Sequence, residues 1–112
     1  MQQGWFYIIT NTHNTVLYCG ATNDLHRRIQ EHRAGLYPKS FSLRYNIVKL
    51  VYFEIFTLVA DAFAREKQVK AGSRKKKIAL IEGVNPAWND LFELLDSRKS
   101  DALIRLKKYF KR

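Results

Sequence analysis

The 112 residues hold 20 Lys and Arg against 10 Asp and Glu, a formal charge of +10 with a pI near 10.0, which points to a polyanionic partner such as nucleic acid. Hydrophobic residues make up 46%, with seven Phe, six Tyr and two Trp, so a disordered chain is excluded and one packed domain is expected. The single cysteine, Cys19, excludes an intramolecular disulfide and a Cys-rich zinc site. With no secretory leader pattern and no apolar run of spanning length, the expectation is a soluble cytoplasmic protein with no membrane partner.

Two short apolar runs, 5–10 and 15–20, flank Asn11-Thr12-His13-Asn14 and predict a β-hairpin with a four-residue loop. If Thr10 faces Thr15, Tyr7 stands opposite Tyr18 and two phenol hydroxyls meet. Trp5, Tyr7 and Ile9 then share one face while Phe6 and Ile8 take the other, and Cys19, facing away from Tyr18 and Gly20, reads as a small core residue. A helix follows, capped by Thr22 or Asn23, with Asp24 suiting its positive end and Gly35 as its stop. Leu25 and Ile29 define its thin apolar stripe, and helical spacing sets Arg28 and His32 beside them. A guanidinium and an imidazole therefore lean toward the hairpin, where a buried cation needs an anionic partner. Singly, each of these residues has an ordinary structural reading; their convergence on one spot is what points to chemistry.

Residues 36–46, LYPKSFSLRYN, read as an exposed connection whose Lys39 and Arg44 are candidate phosphate contacts. The β-branched and aromatic run 47–58 predicts a third strand, and its two largely apolar faces predict that it is central. A second helix is expected over 59–72, with Ala62, Phe63 and Val69 as its apolar positions and Glu66 between them. An inward carboxylate must be paired or coordinating, so Glu66 either meets Arg28 or holds a hard cation. Arg65, Lys67 and Lys70 fall to the sides as solvated charges. Seven basic residues lie in 65–77, and Arg74, Lys75, Lys76 and Lys77 open a third helix that ends at Gly83. With Lys67 and Lys70 these four form a candidate phosphate-facing lip. In the turn that follows, Trp88 is an anchor to the core, and Asn85 either forms the turn or reaches into the site. After a short helical piece around 91–95, a basic amphipathic C-terminal helix with Ala102, Leu103, Leu106, Tyr109 and Phe110 on one face, and seven more basic residues in 98–112, packs on or extends the same domain, so the division is 1–91 plus 92–112.

Taken in order, these residues resemble the GIY-YIG nuclease family, and within it the small stand-alone YhbQ-like type. Trp5-Phe6-Tyr7 matches the first motif, ending on its tyrosine, and Tyr18-Cys19-Gly20 the second. Asp24-Leu25-His26-Arg27-Arg28 is similar to the family's helix with its catalytic arginine, and His32 to a later histidine. Arg65-Glu66-Lys67 resembles the segment with the single metal-binding glutamate. Leu80-Ile81-Glu82 and Asn85-Pro86-Ala87-Trp88 match the stand-alone type, so the likeness spans about 5–91. Trp5, Phe6 and Cys19 depart from the motifs without removing a hydroxyl or a charge, and Ala21 stands where some excision-repair relatives carry a lysine.

The resemblance implies an α/β (α+β) domain with a small three-stranded antiparallel sheet flanked by helices. It also implies a metal-dependent DNA endonuclease, tied to repair or recombination, that leaves 3′-hydroxyl and 5′-phosphate ends. Its catalytic residues would be Tyr7, Tyr18, Arg28, His32 and Glu66, with Gly20 and Asn85 as site support and one Mg²⁺ or Mn²⁺ on Glu66. DNA is the expected partner, with branched or single-stranded forms and RNA left open, for a monomer or weak dimer. The alternative is a non-cleaving nucleic-acid-binding module with a degenerate site.

Overall fold

The computed structural model describes residues 2–35 and 47–95; the connection carrying Lys39 and Arg44 and the 98–112 segment lie outside the described residues. Within them three antiparallel strands, β1 (Gly4–Asn11), β2 (Leu17–Thr22) and β3 (Ile47–Phe56), form a sheet in the order β2-β1-β3. Helix α1 (Leu25–Arg33) covers one face, and α2 (Val59–Lys70) and α3 (Arg74–Val84) the other, with a 3-10 turn over Phe92–Leu95.

Strand alternation divides the core. Tyr7, Ile9, Leu50 and Phe53 pack with Leu25 and Ile29 of α1 and with Leu91, while Phe6, Ile8, Cys19, Val51 and Tyr52 pack with Val69 of α2 and Ile81 of α3. Cys19 is thus a core residue, as its facing predicts.

The central strand is β1, not β3 as expected. In a sheet covered on both faces an edge strand is as apolar as a central one, so two apolar faces do not distinguish them. The outer edge of β3 is instead closed by the segment before the 3-10 turn. Leu91 N donates to Leu50 O at 2.7 Å, Leu50 N to Asp90 Oδ1 at 3.2 Å, and Lys49 Nζ to Trp88 O at 3.1 Å.

The hairpin register also differs: Thr10 pairs with Leu17, Ile9 with Tyr18 and Tyr7 with Gly20. The cause is Asn11, whose Oδ1 accepts from Thr15 N at 2.8 Å and Val16 N at 3.0 Å, holding both residues in the loop. Asn14 in the left-handed region, φ 59°, completes the turn with its N–H on Asn11 O. A shift of two residues preserves facing, so both tyrosines stay on the α1 side.

Helix boundaries move as well. Thr22 is still in β2 and its hydroxyl accepts from Asp24 N, so Asp24 becomes the cap, accepting from Arg27 N at 3.2 Å. Helix α3 runs through Gly83 to Val84, its cap Ser73 accepting from Lys76 N. In α2, Ala62 and Val69 are buried but Phe63 is 47% exposed, because the close approach of Val59 and Ala62 to Gly4 turns Phe63 outward.

Edge strand β3 also carries a buried charge, Glu54. Its carboxylate accepts from Arg65 Nε and a terminal Arg65 nitrogen, both at 3.0 Å, and from the Tyr52 hydroxyl at 2.5 Å. The carboxylate in turn holds the Arg65 guanidinium more firmly protonated, by hydrogen bonding against the opposing cost of burial. Arg65→Met leaves this carboxylate buried and unpaired, and should cost about 3 kcal/mol in urea unfolding. Glu54→Gln in the same background should recover most of that loss.

Candidate active site

Tyr7 enters the site from the central strand. Its cross-strand partner is Gly20, and a Cβ built on Gly20 would overlap the Tyr7 hydroxyl and ring carbons, one of them at 2.8 Å. Glycine here is a requirement of close approach: the ring lies across the β2 backbone, and the hydroxyl reaches His32 Nε2 at 3.1 Å. His32 comes from the last turn of α1, seven residues after Leu25, and is buried with Leu25 and Ile29. Its ring stands edge-on to both tyrosines, with centroids 6.0 Å from Tyr7 and 5.4 Å from Tyr18. The expected convergence of two phenols and an imidazole is therefore present, with Tyr18 meeting His32 rather than lying directly opposite Tyr7.

Burial sets the protonation states. It pushes the Tyr7 phenol well above its ordinary value, and Tyr18 and Glu66 add to the rise while the Arg28 guanidinium opposes it. Burial pushes His32 down from 6.5 to about 4, with Arg28 acting in the same direction and Glu31 against it. Tyr7 and His32 are thus a neutral hydrogen-bonded pair at neutral pH, in which the imidazole can accept the phenol proton.

The charges stand at the rim. Arg28, one turn before His32, has about a third of its side chain exposed, and its Nε lies 3.6 Å from Glu31 Oε1. Glu66, one-fifth exposed, reaches the rim from α2 and is close enough to bear on both Tyr7 and Cys19. Of the two fates expected for Glu66 the pairing is realised, but with Lys70 rather than Arg28: Lys70 Nζ lies 2.8 Å from Glu66 Oε2. This ion pair holds the lysine more firmly protonated, against burial, and Lys70 also sits 5.8 Å above the Tyr18 ring. Lys70, expected on the helix flank as a phosphate contact, is therefore drawn into the site as the partner of Glu66; its i,i+4 spacing from Glu66 is the signal that marks the pair.

The other basic residues spread out. Lys67, Lys75 and Lys76 are exposed, Arg74 donates to Thr15 O of the hairpin loop at 2.9 Å, and the charge of Lys77 is felt at Cys19. Asn85 is fully engaged away from the tyrosines: its amide nitrogen donates to Val51 O and Asn89 O, both at 2.9 Å, and its Oδ1 accepts from Asn89 N at 3.0 Å. Its visible work is to fasten the 85–89 turn to β3.

Among the described residues no three His, Cys, Asp or Glu side chains form a group able to enclose a metal ion. A lone, partly exposed carboxylate suits a hard cation that keeps most of its waters and takes oxygens from a phosphate, as Mg²⁺ does. Glu66 fits that description.

Residues 3–79 match the model of the GIY-YIG catalytic domain. The chain is 34% identical over 82 residues to a UPF0213 protein of Syntrophus aciditrophicus, covering 73% of this chain and 93% of that one. It is 36% identical over 78 residues to the UPF0213 protein YazA of Bacillus subtilis, covering 70% and 77%. The solution NMR structure of the UPF0213 protein BH0048 from Bacillus halodurans superimposes with a TM-score of 0.51 at 28% identity, covering 84% of this chain and 98% of that one.

The depressed His32 value ties stability to acid. A group whose folded pKa is about 4 against 6.5 in the free side chain contributes stability that is complete above about pH 6.5 and is lost as pH falls toward about 4. Between pH 7 and about pH 4.5 the loss from this group should be about 2 kcal/mol. His32→Gln should remove that share of the slope in urea unfolding followed across pH, whatever its effect on stability at neutral pH.

Proposed function

This chain belongs to the GIY-YIG family, whose catalytic domains are of nuclease type and act on nucleic acid; from that premise we propose a metal-dependent DNA endonuclease that leaves 3′-hydroxyl and 5′-phosphate ends. The observation that carries the proposal is the Tyr7 hydroxyl hydrogen-bonded to a neutral, buried His32 with Arg28 and Glu66 at the rim.

Phosphodiester hydrolysis needs a water stripped of a proton, charge stabilisation at a crowded phosphorus and help for the leaving oxygen. A phenol pushed upward by burial is a poor phenolate base, so Tyr7 serves better as a relay. It takes the water's proton on its oxygen as it passes its own to His32 Nε2. Negative charge building on the phosphate favours a cationic imidazole and offsets the burial that keeps His32 neutral beforehand. Tyr18, against the other edge of His32, holds the ring in place. Arg28 clamps a non-bridging oxygen, its planar fork suited to phosphate.

GIY-YIG nucleases generally use divalent metal ions. Glu66 would hold one, Mg²⁺ or Mn²⁺, which when bound supplies Lewis-acid polarisation of the phosphate and neutralises the departing oxygen. Lys70 must then release Glu66, and a lysine half exposed to water can swing to a neighbouring phosphate. The Lys70–Glu66 ion pair also favours a second reading, a nucleic-acid-binding module in which the carboxylate is permanently neutralised.

Nicking of supercoiled plasmid with and without Mg²⁺ separates the two. On the nuclease reading Glu66→Ala abolishes Mg²⁺-dependent nicking, and Arg28→Ala slows it by at least about a hundredfold while DNA binding persists. Wild-type protein that binds plasmid, branched and single-stranded DNA yet nicks none of them selects the binding module. A second expectation concerns the basic start of α3: Lys75, Lys76 and Lys77 changed together to Ala should weaken binding and lower the slope of log affinity against log salt by about 2 to 3. Arg74 is spared in that variant because it supports the hairpin loop.

A further inference from the structure

Beside the candidate active site lies a cleft of about 310 Å³ between the N-terminal segment, the start of α1 and the first turns of α2. It is lined by Gln2, Thr22, Asn23, Arg28, Val59 and Phe63. Arg28 is a wall of this cleft and a neighbour of Tyr7 and His32, so whatever enters the cleft lies one guanidinium away from the reacting groups.

An exposed aromatic alone means little on a protein surface. Phe63 is different because of what faces it. Gln2 is fixed twice, its carbonyl accepting from Val59 N at 2.9 Å and its Oε1 from Asn23 Nδ2 at 3.1 Å. That pairing leaves the Gln2 amide hydrogens, the Asn23 carbonyl oxygen and the second Asn23 amide hydrogen for a ligand, donors and an acceptor side by side. A π face, a bidentate amide edge and a guanidinium are the three groups by which proteins hold a nucleotide: stacking on the base, reading its edge and clamping its phosphate.

We propose that this cleft is a subsite for one unstacked nucleobase of the substrate, stacked on Phe63, bonded at its edge by Gln2 and Asn23, with its phosphate on Arg28. The inference rests on the nuclease reading above and deepens it. A base held in a stacked duplex cannot enter, so the favoured substrate carries an unpaired or easily extruded nucleotide next to the cut. Stacking on a phenyl ring tolerates every base, so base preference, set by the amides alone, is modest.

The test uses the full chain and a hairpin DNA with one bulged nucleotide, beside the same hairpin with an abasic bulge. Affinity is read by fluorescence polarisation in Ca²⁺ without Mg²⁺. Wild type should bind the bulged base about tenfold more tightly than the abasic bulge. Phe63→Ala should bind both alike with an unchanged melting temperature, and Phe63→Trp should restore the discrimination. Equal binding of the two bulges by wild type, or discrimination that survives in Phe63→Ala, overturns the proposal. Cleavage of the same hairpins in Mg²⁺ keeps the two readings apart. Cleavage without base discrimination removes the subsite and leaves the nuclease, whereas discrimination through Phe63 without any cleavage removes the nuclease and leaves a base-binding cleft.

Discussion

The candidate site depends on Tyr7 crossing the backbone of Gly20. A side chain at position 20 would occupy the space of the phenol, so the absence of a Cβ allows a core tyrosine to extend over the neighbouring strand and bring its hydroxyl to His32. The ring remains part of the apolar core and is held by it, with 1% of Tyr7 exposed. A reacting group fixed in this way loses little freedom when substrate arrives, which is the main advantage a rigid sheet offers over a loop. The same packing removes water from the hydroxyl and accounts for both displaced titrations.

Electrostatics divide the region into a neutral centre and a charged rim, and this division shows which carboxylate is available for chemistry. Among the described residues Glu54 is a buried charge, but two guanidinium bonds and a phenol bond occupy it from within the fold. Removing a partner there exposes a large desolvation cost, the mark of a structural pair. Glu66 faces outward enough to exchange its partner, and that partner is itself half in solvent. An ion pair of this kind adds little to stability, so giving it up to a cation or a phosphate costs little.

Much of this was legible in the sequence where one periodicity governed the outcome. Alternation across β1 and β2 fixed which residues share a face, and helical spacing from Leu25 carried Arg28 and His32 to the hairpin side. Facing survives a register error of two residues, which is why the tyrosines converge although the loop is longer than its four polar residues imply. Illegible features arose where a side chain overrode the local pattern. Asn11 captured two backbone amides, Thr22 supported a cap while remaining in a strand, and Gly4 drew α2 so close that its phenylalanine turned to solvent. Strand order was illegible for another reason: covering both faces of the sheet erases the difference in composition between centre and edge.

The departures from the family motifs can be weighed against the same geometry. Trp5 contacts Phe53 with centroids 5.8 Å apart and Phe6 contacts Tyr52 at 6.2 Å, so both substitutions enlarge the packing of β1 against β3. Cys19 points into the core on the α2 side, where a small apolar side chain fits and a phenol or charge would not. Ala21 pairs with Phe6 on that same buried face, so a lysine there would have to carry its charge out past the aromatic layer. A cation nevertheless stands over Tyr18, and it comes from α2. Lys70, one turn after Glu66, reaches over the Tyr18 ring from the helix flank, where it stays half exposed and its ammonium meets the acid. A positive charge at this rim therefore requires no particular strand position, only a helix flank within a lysine's reach of the second tyrosine.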